Sequence, residues 1–172
     1  MKIIEAMKKV KMNEVKIVDL QTRIGGHCAN LSHETPVYGT ETGKRIMEWL
    51  QSCTDLTQDN VQLLCAIQRT NLATPVTIEI DGKQVTKSIA AWVWRRRTYA
   101  TIDMETWRRL TDRNLREGQI NVSTGVPIDV KIIRHFDPFM RDTRISMYRD
   151  EPALIDSTLE VVNAVTDLLE VA

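Results

Sequence analysis

"TGKRIMEWLQSCTDLTQDNVQLLCAIQRTNLATP", residues 42–75, is the stretch on which the fold turns. Ile46, Trp49, Leu50 and Cys53 recur at helical spacing and share one face, which predicts a helix from about Glu41 or Thr42 to Cys53. Val61, Leu64, Cys65, Ile67 and Gln68 continue the pattern. Asp55 and Thr57, between the two halves, either interrupt the helix near residues 54–58 or lie inside one long helix, and both readings stand. Pro75 blocks easy continuation, so the segment closes over "RTNLATP", residues 69–75.

Working outward, Ile3, Met7, Val10, Val15, Val18, Leu20 and Ile24 predict a first helix from Lys2 to about Ile24, ended by Gly25-Gly26. Residues 27–43 read as a loop. After Pro75, "VTIEIDGKQVTK" (76–87) alternates around Asp81-Gly82, a pair suited to a two-residue hairpin turn because both positions tolerate positive φ. Ser88 then caps a third helix expected to reach Arg116, with Gly118 as its stop. "VPIDVKIIRHF" (126–136) alternates again and could pair with "TRISMY" (143–148) across Asp137-Pro138. A last helix is expected to start with Asp150 as cap and Pro152 in its first turn. Its stripe is Leu154, Ile155, Leu159, Val162, Val165, Leu168 and Leu169, flanked by Asp156, Glu160, Asp167 and Glu170.

The expectation is therefore a mainly α protein, an antiparallel helical bundle or coiled coil, with two short β-hairpins near 76–87 and 126–148. A length of 172 residues fits one domain, 1–172, able to bury a core without disulfides or metal. Lys plus Arg and Asp plus Glu number 23 each, so overall charge pulls toward neither nucleic acid nor an anionic membrane. Cys28, Cys53 and Cys65 are too few and too scattered for a disulfide framework. Cys53 and Cys65 are read as small core residues, reduced, in a cytoplasmic setting. No apolar run is long enough to serve as a signal peptide or span a bilayer.

Phosphate-binding loops, dinucleotide fingerprints, the GxSxG elbow and HExxH are all missing from the chain. His27, Cys28 and His33 lie close in sequence but lack the fourth ligand of a structural zinc site. Asp137, Asp142, Asp150 and Glu151 each have a simpler task at a turn or helix start, with Arg141, Arg144 and Arg149 as salt-bridge partners. No enzyme activity, cofactor or metal is expected.

The third helix carries the most unusual chemistry: "SIAAWVWRRRTYATIDMETWRRL", residues 88–110. Aromatic rings among arginines suit either a single-stranded nucleic-acid platform or a packed protein interface. Ile89, Trp92, Val93, Arg96, Ala100, Asp103, Trp107 and Leu110 lie along roughly one side, with Trp94 and Arg95 pointing elsewhere. Asp103, Glu105 and Asp112 stand at helical spacing from Arg108, Arg109 and Arg116, which favours pairing within the helix over a free basic groove. Core or subunit interface is the preferred reading, with Trp92, Arg96, Trp107, Leu110, Leu159, Val162 and Leu169 as interface candidates.

"IQRTNLAT", the Asp81-Gly82 turn and a helix opening "SIAAWVWRRR" resemble the septicolysin-like family of small helical bacterial proteins. Arg69, Thr70, Asn71 and Thr74 carry the likeness, together with the order of helices, hairpin and strand segment "DVKIIRHF". The chain differs in having Arg95-Arg96-Arg97 where the family has Arg-Asp, and in lacking its C-terminal Asn-Trp. The resemblance implies a coiled-coil-like helical protein that self-associates. The residues alone account for Arg69-Thr70-Asn71 as a helix C-terminus, with Asn in the left-handed cap conformation.

The functional expectation is a non-enzymatic structural subunit forming a homo-oligomer, in the form of a ring, within a bacteriophage particle as a collar, neck or decoration protein. Its partners would be itself and other structural proteins of the assembly. It would be made in the cytoplasm and incorporated into a virion. Two alternatives differ in class: a nucleic-acid-binding accessory protein using residues 92–109, and a membrane-active septicolysin-like protein. The long amphipathic alternation that a membrane β-pore needs is not found.

Overall fold

The computed structural model describes residues 1–121, 125 and 127–169. The protein is mainly α-helical with two small antiparallel two-stranded sheets. It divides into two compact units: residues 1–76, 88–90 and 159–172, and residues 77–87 and 91–158.

The first unit is built on a helical hairpin, α1 (Ile3–His27) and α2 (Thr42–Ala73). α1 buries Ile3, Ala6, Val10 and Asn13, one line at helical spacing. α2 answers with Asn60, Leu63, Ala66, Ile67 and Thr70. Between them Asn13 Nδ2 donates to Asn60 Oδ1 (2.9 Å) and Asp59 Oδ2 (3.0 Å), so this polar step in an otherwise apolar stretch of the seam is satisfied. The chain ends close over this seam. Ile3 N–H donates to the Thr166 carbonyl, Leu168 N–H to the Met1 carbonyl, and Lys2 Nζ meets Asp167 at 2.8 Å.

Several expected boundaries move. α1 runs through Gly25 and Gly26 to His27, because both glycines keep negative φ and the ring of His27 packs on Tyr38 and Trp49. α2 is one unbroken helix. Thr54 and Thr57 turn their hydroxyls back onto the Leu50 and Cys53 carbonyls of the same helix, instead of capping a new one. Asn71 is helical rather than a left-handed cap, and the helix ends when Thr74 N–H bonds the Thr70 carbonyl. Cys53 is half-buried and Cys65 exposed, so neither is a core residue, and all three thiols are free.

The hairpin β1 (Pro75–Ile80) and β2 (Lys83–Ser88) follows the sequence reading, with Asp81 at φ 52° and Gly82 at φ 71°. The third helical stretch is α3 (Ile89–Trp94), a π-helical turn (Arg95–Tyr99) and α4 (Ala100–Arg108), joined without a break. It stops well before Arg116, since Arg113 and Asn114 adopt positive φ.

The second sheet is also placed differently. β3 (Gly118–Asn121) pairs with β4 (Pro127–Val130), Ile120 opposite Ile128. Gly118 therefore opens a strand, and "TRISMY" (143–148) is helical. α5 spans Pro138–Val165. Its start is set by Asp137, whose carboxylate accepts the Phe139 N–H, with Pro138 at the first position. Asp150 is thus not the cap, and Pro152 lies inside the helix. Leu168 and Leu169 fall beyond its end. Val126 and Glu170, part of the expected strand and acidic flank, lie outside the described residues.

Candidate functional site

The second unit concentrates its charged chemistry where the π turn faces α5. A buried carboxylate must find a cation, because an unpaired charge away from water is costly. Glu151 is only 4% exposed. It sits on one line of α5 with Ile155 and Leu159, both buried, at spacings of four residues. Arg95 meets it with a two-pronged contact: Nε to Oε1 at 2.6 Å and Nη2 to Oε2 at 2.8 Å. The remaining prong, Nη1, reaches Asp103 Oδ2. The guanidinium also stacks over Tyr148, 5.3 Å from the ring centre. The hydrogen bonds to Glu151 raise the Arg95 pKa above its ordinary value, against the opposing pull of burial, and Asp103 adds to the rise. Arg95 therefore stays charged throughout the accessible pH range.

Next to it Arg96 pairs with Asp156 of α5. Two consecutive arginines thus engage acids five residues apart on the other helix. The wider π turn, which adds a residue to the local repeat, is the segment that presents them. Arg108 pairs with Glu105 within α4, and Arg134 grips Asp112 with two bonds.

On the outer side of the π turn lies an open cleft of about 490 Å³, lined by Lys87, Ala91, Trp94, Arg95, Tyr99 and Asp103. Trp94 is 62% and Tyr99 53% exposed. Trp92 is the reverse, 1% exposed, with the Lys87 ammonium 5.2 Å above its ring.

The sequence-based candidates separate accordingly. Trp92 and Leu159 are core residues. Arg96, Trp107, Leu110 and Val162 are half-buried, and Leu169 is exposed. The Leu110 carbonyl accepts a bond from Arg141 at 3.0 Å. In the first unit, Arg69 is exposed and Thr74 half-buried. Thr70 is buried, donates to the Ala66 carbonyl and accepts the Leu169 N–H at 2.9 Å. Thr70 therefore fastens the C-terminal segment onto α2. Asn71 keeps a buried Oδ1 that has no hydrogen-bond partner.

Sequence reasoning missed Arg95 and Glu151, the strongest pair in the unit. The signal was present in the Glu151-Ile155-Leu159 line, an acid standing on an apolar stripe. Among the described residues no cluster of His, Cys, Asp or Glu could hold a metal ion, and no helix is long and apolar enough to cross a membrane. Compared with known protein families, curated proteins and solved structures, the chain matches none.

Proposed function

We propose that this chain is a non-enzymatic structural subunit that assembles with copies of itself. The observation that carries the reading is the outer surface of the α1–α2 hairpin. Met7, Val15 and Val18 on α1 and Met47, Leu50, Val61, Leu64 and Leu72 on α2 are all exposed, besides the apolar line the two helices share. Monomers seldom leave so many large apolar side chains on one helical pair in water. The arginine chemistry of the second unit supports the same reading, since Arg95, Arg96 and Arg108 are committed to acids of their own chain. A component of a bacteriophage particle is the setting such a subunit fits.

A second reading has its own observation: Trp94 and Tyr99 are exposed beside Lys87, the geometry on which an unpaired base could stack. One experiment separates the two. Light scattering on purified protein at micromolar concentration is expected to give a discrete multimer, and a labelled single-stranded oligonucleotide is expected to bind weakly at all salt concentrations. A monomer of 19.7 kDa would remove the assembly reading. Tight, salt-sensitive binding lost in Trp94→Ala would establish the nucleic-acid reading instead.

A further inference from the structure

α2 carries two seams, and only one of them has a partner in the first unit. At about 100° per residue, the six charged side chains of α2 (Lys44, Arg45, Glu48, Asp55, Asp59 and Arg69) fall within a sector of about 120°. Asn60, Leu63, Ala66, Ile67 and Thr70 face α1. The remaining side of the helix has no charge. There Met47, Leu50, Thr54, Thr57, Val61 and Leu64 follow one another at alternating spacings of three and four residues, the repeat of a coiled-coil seam. Leu72 extends the same side. The five apolar members are 44–69% exposed. The two threonines are exposed as well, yet their hydroxyls are spent on the carbonyls of Leu50 and Cys53 at 3.2 and 2.8 Å. Their hydroxyl protons are already satisfied within the helix, which lowers the cost of covering them.

We infer that this outer seam of α2 docks against the same seam of a second copy, antiparallel, with Leu50 opposite Val61 and Thr54 opposite Thr57. The inference rests on the self-assembly reading and names its surface. Three features select this occupant. The seam is neutral along its whole length, so a strongly charged partner finds no counter-charge on it, while a second copy meets no like charge. The four apolar side chains and two threonines of the paired stretch offer roughly 500 Å² per copy, about 1,000 Å² for two, which reaches the lower edge of a specific interface. The spacing reads the same in both directions about a point between Thr54 and Thr57. An antiparallel two-fold pairing therefore sets Met47 against Leu64 and Leu50 against Val61, with large side chains at both ends and small ones in the middle. It also places each helix N-terminus beside the C-terminus of its partner, the favourable arrangement of the two dipoles.

The test is the paired variant Leu50→Glu/Val61→Glu, followed by sedimentation at tens of micromolar. Both positions are exposed in the single chain, so the helical circular dichroism should persist. Self-association should weaken by at least about tenfold as four carboxylates are forced into an apolar contact. A wild-type monomer would overturn both the assembly reading and this seam. A wild-type multimer that the paired variant leaves intact would overturn the seam and leave assembly standing. Orientation is read separately, with the three native cysteines changed to serine. Leu50→Cys and Val61→Cys chains should form a disulfide-linked dimer when mixed and none when oxidised alone. A linked dimer from Leu50→Cys alone would overturn the antiparallel pairing.

Discussion

The two ends of the α1–α2 hairpin are made of the same helices and behave differently. At the root, Ile3–Asn13 packs on Asn60–Thr70, nine side chains are buried, and the N- and C-terminal segments pair over the seam. At the far end none of residues 14–27 or 42–59 is buried. Ile17, Leu20, Ile24, Ile46, Cys53 and Leu56 are only half-covered, and His27, Tyr38 and Trp49 close the end as a ring cluster with centroids 5.2–5.9 Å apart. Apolar spacing persists along both helices, but a two-helix contact without a third layer covers only one face of each. The root obtains its third layer from the chain termini. The far end has none in its own unit. The lesson is that helix formation and burial are separate outcomes: α2 is continuous for 32 residues, while its buried side chains are confined to its second half.

The largest effect that would break this comparison comes from one substitution made in both places. Leu63→Ala, at the root, should cost about 2–5 kcal/mol, since the side chain is 7% exposed and its loss leaves a cavity between packed helices. Leu56→Ala, two turns earlier on the same helix, should cost less than half as much in a dissociated chain, because water already reaches that side chain. Urea denaturation of both variants at low concentration measures the difference. Equal costs would mean that the far end is as well packed as the root.

Much of the secondary structure was legible in the sequence. The hairpin at Asp81-Gly82 was fully encoded, since only a few residue pairs accept two positive φ values. Helical periodicity placed α1, α2 and the start of α3. Helix ends were harder, because capping residues act only where packing lets them. Gly25-Gly26 and Thr54 to Thr57 look like stops, yet both glycines keep negative φ and the threonine hydroxyls return to carbonyls of their own helix, so both helices run through. The stretch "TRISMY" alternates like a strand but follows Asp137-Pro138, which is as good a helix start as it is a turn, and the long α5 won. In the candidate site Arg95 was hidden for a different reason. A π turn shifts the helical repeat by one residue, and a reading at constant spacing sends Arg95 the wrong way.

An intermediate effect sharpens the root itself. Asn13 is its one buried polar side chain on α1, and a single amide nitrogen serves both Asp59 and Asn60. Asn13→Ala should cost about 1–3 kcal/mol, mostly because the buried Asn60 oxygen loses its donor. Asn13→Leu combined with Asn60→Leu should recover a large part of the loss, since both polar partners then leave together. A double variant less stable than Asn13→Ala would show that the apolar pair does not fit the seam. Thermal unfolding of the wild type and the two variants decides it.

The smallest effect lies at the border between the two ends, where Lys9 and Asn13 both hold Asp59. The bond from Lys9, then that from Asn13, keep the Asp59 carboxyl below its ordinary pKa, while burial opposes them weakly. A carboxyl depressed in the folded state releases its proton more readily there than in the unfolded chain. Its contribution to stability is therefore fully present above the unfolded value of about 3.9 and is lost as pH falls through the folded value. The side chains of Lys9 and Asp59 are 49% and 37% exposed, so solvent screens the pair and the gain should be about 0.5 kcal/mol or less. Asp59→Asn removes the titration but keeps an oxygen for Asn13. The melting temperature of the wild type minus that of this variant should be slightly positive near neutral pH, smaller in high salt, and should shrink toward zero as pH falls through the depressed folded-state value of the carboxyl. A difference that stayed constant as pH fell through that range would mean that the charge shared with Lys9 is not what Asp59 contributes at the point where the covered seam ends.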